Sequence, residues 1–154
     1  MTGWRNTLLH SVRTAVAAVA SSLLATSVLR LPEFYWAPVS TIVILLSTLN
    51  PLTLAWQRFA GTAIGAALGA LIATYFSPSV LIYGTGLFLA GILSALLRLG
   101  SAYRFAAITF TIVLLVQHSA PAWRVGFHRF LEVSLGIAVA LIITRLWPLE
   151  APAM

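Results

Sequence analysis

Six apolar segments constrain this chain more than any other feature. They fall at about residues 12–30, 36–50, 58–76, 79–97, 103–118 and 128–147, separated by Leu31-Pro32-Glu33, Asn50-Pro51, Ser77-Pro78, Arg98-Leu99-Gly100-Ser101 and Ser119-Ala120-Pro121. Four are near the ~20 residues that cross a bilayer as a helix, and the second and fifth are short. Backbone N–H and C=O groups surrounded by hydrocarbon must be satisfied within their own segment, so each segment reads as a helix rather than an open strand. A soluble fold is excluded by composition. Of the 154 residues 60% are hydrophobic and only 8% charged, where a soluble domain carries roughly 25% charged residues. The expected fold class is an all-α membrane protein, one domain of six transmembrane helices over residues 1–154. The first apolar stretch follows Arg5 and Arg13 but ends in no small-x-small cleavage site, so it reads as a retained helix and not a signal peptide.

The charges are lopsided: nine arginines, no lysine, no aspartate, and only Glu33, Glu132 and Glu150 as acids, for a net charge of +6. The arginines stand singly at segment edges, without the basic face and readout residues that nucleic-acid binding requires, so nucleic acid is excluded as a partner. Headgroup anchoring in the lipid bilayer is one reading of each arginine; an anion pathway is the other. With the N-terminus inside, Arg5, Arg13, Arg58, Arg98, Arg104 and Arg145 are cytoplasmic and Arg30, Arg124 and Arg129 are outside, which favours two cytoplasmic termini. Trp4, Tyr35, Trp36, Trp56, Tyr75, Tyr103, Trp123 and Trp147 lie at segment ends, where interfacial aromatic belts form. Cysteine is absent, the three histidines are scattered, and no nucleophile elbow, phosphate loop or paired carboxylates occur. No enzymatic activity, cofactor or metal is expected.

The halves resemble each other. Arg58-Phe59 with Gly65 is matched by Arg129-Phe130 with Gly136 at the same offset, and Thr41-Ile42-Val43-Ile44-Leu45 is echoed by Thr111-Ile112-Val113-Leu114-Leu115. Two three-helix repeats would have to be inverted, because an odd helix number reverses the second, and inverted repeats are a plan of transporters. Hydroxyls early on the two short helices, Ser40 and Thr41 on one and Thr109 and Thr111 (with Gln117) on the other, mark a candidate pathway. They also suit simple bonding to their own helix carbonyls. Arg58 and Arg129 are expected one turn before long apolar helices, where a cation is disfavoured by the dipole and needs compensation. Glu132, the only acid inside an apolar segment, forms with His128 a candidate for proton coupling; a local pair with Arg129 three positions away is the alternative. Gly61, Gly65 and Gly69 make a stripe that would cost about 1 kcal/mol per glycine in a helix in water. In lipid the same stripe allows close helix packing.

Val12-Arg13-Thr14-Ala15-Val16-Ala17, Leu31-Pro32, Trp36-Ala37-Pro38-Val39-Ser40-Thr41-Ile42-Val43 and Arg58-Phe59-Ala60-Gly61-Thr62-Ala63-Ile64-Gly65 together resemble the fusaric acid resistance protein family. That superfamily includes bacterial aromatic carboxylic acid exporters, and the plant aluminium-activated malate channels look related to it. Ser40-Thr41 stands where the family pattern has a single threonine, a small departure. Leu146-Trp147-Pro148 fits the end of its six-helix unit. The resemblance implies a bacterial inner-membrane transporter or channel for organic anions, efflux in type, in which Arg13, Trp36, Pro38, Thr41, Arg58, Gly61, Thr62 and Gly65 are the positions to watch. Many exporters of the family carry soluble domains and a second membrane unit, so a chain of this length is expected to act as a homo-oligomer, dimer or higher. The alternative is a non-transporting membrane subunit or scaffold whose arginines meet only lipid.

Overall fold

The computed structural model describes residues 3–31, 33–116 and 120–149, and these are helical with no strand among them. Six helices follow in order: α1 (Gly3–Leu23), continued by a π-helical turn (Leu24–Val28), α2 (Trp36–Leu45), α3 (Pro51–Tyr75), α4 (Val80–Leu96), α5 (Tyr103–Leu115) and α6 (Ala122–Leu146). Three spans are long and apolar enough to cross a bilayer, Trp4–Val28, Pro51–Tyr75 and Ala122–Leu146, while α2, α4 and α5 are shorter apolar helices. Pro32, Gln117 and Glu150 lie outside the described residues.

Local chemistry sets the boundaries, and several differ from where hydropathy puts them: α1 starts at Gly3 rather than about 12, α2 ends at Leu45 rather than about 50, and α3 and α6 start earlier. Asn50 caps α3: its Oδ1 accepts from the N–H of Leu52 at 2.9 Å and of Thr53 at 3.4 Å. Pro51 occupies the first helical position, where its missing N–H is not needed. The polar stretch Thr53–Arg58 therefore joins α3, which begins seven residues before Arg58. Pro121 likewise launches α6 seven residues before Arg129, its carbonyl accepting from the N–H groups of Arg124 and Val125. Both arginines are thus two turns inside their helices, past the reach of the N-terminal dipole. Ser79 starts α4 by accepting from the N–H of Ile82 at 3.3 Å.

The chain divides into two compact units. One comprises Met1–Ala55 with Glu132–Met154, the other Trp56–Leu131. In the first, α2 meets the C-terminal part of α6 at Gly136. A Cβ there would collide with the Ala37 carbonyl and stand 2.6 Å from the Ser40 Cβ. In the second, α3 meets α5 at Gly65, where a Cβ would collide with the Ala106 carbonyl and stand 2.9 Å from the Thr109 Cβ. Ala37 and Ser40 precede Ala106 and Thr109 by the same 69 residues, so the two contacts are the same contact built twice.

The first helix of each half repeats the pattern. Ala17 and Ser21 are buried on α1 and Ala25 on its π-helical turn, and Gly86, Ala90 and Ser94 on α4, again 69 residues apart. Each helix then closes on an arginine with positive φ, Arg30 at 47° and Arg98 at 57°. The following leucine N–H turns back to a carbonyl, Leu31 to Ala25 at 2.9 Å and Leu99 to Ser94 at 2.7 Å. The interval from small residue to arginine is one residue longer in α1, and the π-helical turn accommodates the extra residue.

Candidate anion site

Arg58 is the side chain whose surroundings do least to explain it. It is buried, carries no hydrogen-bond partner on Nε, and sits with its guanidinium carbon 5.1 Å from the centroid of Phe105. Arg104, exposed on α5, approaches the same ring at 4.8 Å and donates from Nη2 to Gln57 Oε1 at 3.1 Å. Phe105 is placed by the glycine stripe, since Gly61 lets α5 approach α3 until a Cβ would stand 2.7 Å from the Phe105 Cβ.

The two guanidinium carbons lie at most 9.9 Å apart, the sum of their distances to the shared centroid. At an effective dielectric of ~20 that separation costs about 1.7 kcal/mol or more in repulsion, reduced where solvent reaches Arg104. No carboxylate of the same unit relieves it. Residues 56–131 carry Arg58, Arg98, Arg104, Arg124 and Arg129 and no acid, while Glu132 follows directly on α6, three positions from Arg129, and both of these are engaged in interactions. The ring face attracts both cations but neutralises neither.

The unit containing Met1–Ala55 uses its polar residues differently. Arg13 is buried, and its two terminal nitrogens donate to the carbonyls of Trp147 at 3.1 Å and Leu45 at 3.4 Å. Those carbonyls end α6 and α2, where a cation is favoured by both dipoles. Thr41 is fully buried, its hydroxyl shared between the carbonyls of Ala37 at 3.1 Å and Gly136 at 3.0 Å. Trp36 donates its indole N–H to Glu33 at 3.2 Å, and Pro38 sits in the first turn of α2, where proline costs no hydrogen bond.

Back in the second unit, Thr62 is buried on α3. Thr111 donates to the Ala107 carbonyl at 2.7 Å, which leaves its oxygen to accept from the Tyr83 hydroxyl at 3.1 Å. Gly65 and Gly69 face α5, with a Gly69 Cβ 2.9 Å from the Val113 Cβ. Of the three residues grouped near the start of the last apolar segment, Arg129 and Glu132 are buried on α6 and engaged in interactions, while His128 is half-buried. An apolar cleft of about 330 Å³ opens between the alanine face of α3 (Ala63, Ala66, Ala70) and Trp123, Gly126 and Phe127 of α6.

Phe105, Gln57 and Tyr83 are absent from the sequence-based candidate set. Phe105 had a signal in Arg104-Phe105, the third arginine–phenylalanine pair beside Arg58-Phe59 and Arg129-Phe130. Gln57 and Tyr83 had none, because their roles depend on which helices touch.

The family model described as fusaric acid resistance protein-like matches residues 14–143. No curated protein and no solved structure gives a match.

Proposed function

The chain belongs to the fusaric acid resistance protein-like family, and from that premise we propose that it conducts or carries small organic anions, aromatic or other carboxylates, across the bacterial inner membrane. The family is one of membrane transporters rather than enzymes, and the apolar helices make this a multi-pass membrane protein. One observation carries the substrate charge: a buried and an exposed guanidinium, Arg58 and Arg104, share the face of Phe105. An unbalanced cation in a low-dielectric wall selects by sign with few contacts.

Arg58 supplies the attraction, Arg104 extends it toward solvent, and Phe105 holds both in place. Thr62, Thr111 and Arg129 belong to the same pathway in this reading, and Trp36, Pro38 and Thr41 mark the matching short helix of the other unit. The matched contacts at Gly65 and Gly136, and the matched arginine turns at Arg30 and Arg98, support two inverted repeats of three helices each. In that arrangement the third helix of each repeat packs on the second helix of the other: α3 on α5 and α6 on α2. The arginine bias puts both termini in the cytoplasm, and the protein acts as a homo-oligomer.

The scaffold alternative draws on Arg13 and Thr41, whose bonds to backbone carbonyls hold helices together without a ligand. Flux of labelled benzoate into liposomes decides between the two readings. Arg58→Gln is expected to cut flux at least tenfold while the melting temperature stays near wild type. Equal flux from both proteins would remove Arg58 from any pathway, and no flux from wild type would leave the scaffold.

A further inference from the structure

Helix α1 places Asn6, His10, Arg13 and Thr14 on one face, at helical spacings of three and four residues. Three buried atoms of that face have no hydrogen-bond partner among the described residues: His10 Nδ1, Arg13 Nε and Thr14 Oγ1. His10 is only 7% exposed, and nothing in its own unit satisfies that nitrogen. A buried polar atom left without a partner destabilises the fold, so three on one face call for an occupant. Two clefts open there. One of about 250 Å³ is lined by Asn6, His10 and Pro148, and one of about 120 Å³ by Arg13 and Thr144, with Leu149 on the edge of both.

The charge balance says what the occupant is. Arg13 is held by the C-terminal carbonyls of two helices, each end worth roughly half a negative charge, so its cation is largely spent. An anion entering the larger cleft needs a fresh positive charge. The remaining charged groups that this unit places on the packed elements are Arg5 of α1 and Arg145 of α6, both exposed, and Glu132 of α6, buried thirteen residues before Arg145 and engaged in interactions; α2 brings none. His10 is the titratable group that lines the cleft. A neutral ring with its proton on Nε2 presents the Nδ1 lone pair to an incoming carboxylate; protonated, the same atom donates.

We propose that this face of α1 binds the carboxylate of a small organic acid together with one proton from solvent, taken by His10 on Nδ1. Anion and proton then enter as a neutral pair, which a low-dielectric site accepts far more readily than either charge alone. The ligand class rests on the organic-anion reading above, but the site is built in the other unit from Arg58.

Benzoate titrated calorimetrically into the protein in lipid nanodiscs, in two buffers of different ionisation heat, tests this without any transport step. Wild type is expected to take up a proton on binding benzoate, with affinity rising as the pH falls. His10→Gln is expected to bind at least tenfold more weakly and to take up no proton. Asn6→Leu, an exposed position on the lip, is expected to weaken binding severalfold with proton uptake retained. Binding without proton uptake, wild-type binding by His10→Gln, unchanged affinity in Asn6→Leu, or no benzoate binding by wild type would each overturn the proposal. Should His10→Gln fail to fold by circular dichroism, Asn6→Leu and the wild-type proton count decide. Arg58-dependent flux without this binding leaves the transport reading standing; His10-dependent binding without Arg58-dependent flux leaves only this site.

Discussion

Adding a single methyl group at Gly65 or at Gly136 should destabilise the protein by similar amounts, because each glycine admits the same contact. An alanine Cβ at Gly136 would stand 2.6 Å from Ser40 Cβ and closer still to the Ala37 carbonyl, where ordinary contact begins at 3.4 Å. The partner atoms are backbone and Cβ, with no rotamer to yield, so α2 and α6 must part by about 1 Å. Overpacking of this kind costs about 1–3 kcal/mol, and alanine recovers up to ~1 kcal/mol in helix propensity. Parting the helices also lengthens the bond from Thr41 to the Gly136 carbonyl, now 3.0 Å, which adds about 1 kcal/mol. The net expectation for Gly136→Ala is a loss of about 1–3 kcal/mol, and slightly less for Gly65→Ala, which has no threonine bond at stake. At ~2–4 °C per kcal/mol for a chain of this size, melting should fall by about 2–12 °C. Gly84→Ala is the control, because nothing lies within 4 Å of its Cβ; it should melt at or slightly above wild type. Thermal unfolding in detergent, followed by circular dichroism, measures all three. Melting of Gly65→Ala and Gly136→Ala at the Gly84→Ala temperature would refute the argument from close packing.

Arg13→Ala strips the C-terminal carbonyls of Leu45 and Trp147 of a shared donor, and should cost about 2–4 kcal/mol in the same melting assay. Phe105→Leu keeps the bulk but loses the ring that holds two guanidiniums; benzoate flux should fall severalfold, consistent with about 0.5–2 kcal/mol of cation–π attraction. Arg98→Gly relieves a left-handed turn at φ 57° and should stabilise by ~1 kcal/mol in the melt. Glu132→Gln tests the coupling assigned to His128 and Glu132: if that pair carries the proton, the pH dependence of flux should change, and an unchanged profile removes it.

Legibility in the sequence followed the range of the physics. Hydropathy and punctuation act locally, so the helical membrane class, the six apolar segments and their breaks could be read directly. The caps could also have been read: Asn50-Pro51 and Pro121 announce helix starts, but hydropathy alone began the third and sixth helices later, because it discounts the polar turns before Arg58 and Arg129. That misplacement made both arginines look like dipole conflicts, when each lies two turns inside.

The spacing of Gly61, Gly65 and Gly69 announced a packing face but not its partner. Which helix fills a groove is decided by contacts between residues tens of positions apart, so only the tertiary structure could assign α5 to that face and α2 to Gly136. The same limit governs the arginines. All nine look alike in sequence, yet Arg13 is bound by two helix ends while Arg58 meets an aromatic ring and a second cation. By itself the sequence determined the solvent this protein folds in and the sign of its charge, because those depend on residue type. The tertiary structure decided which charges are answered and which are left waiting, because a counter-charge is a matter of distance.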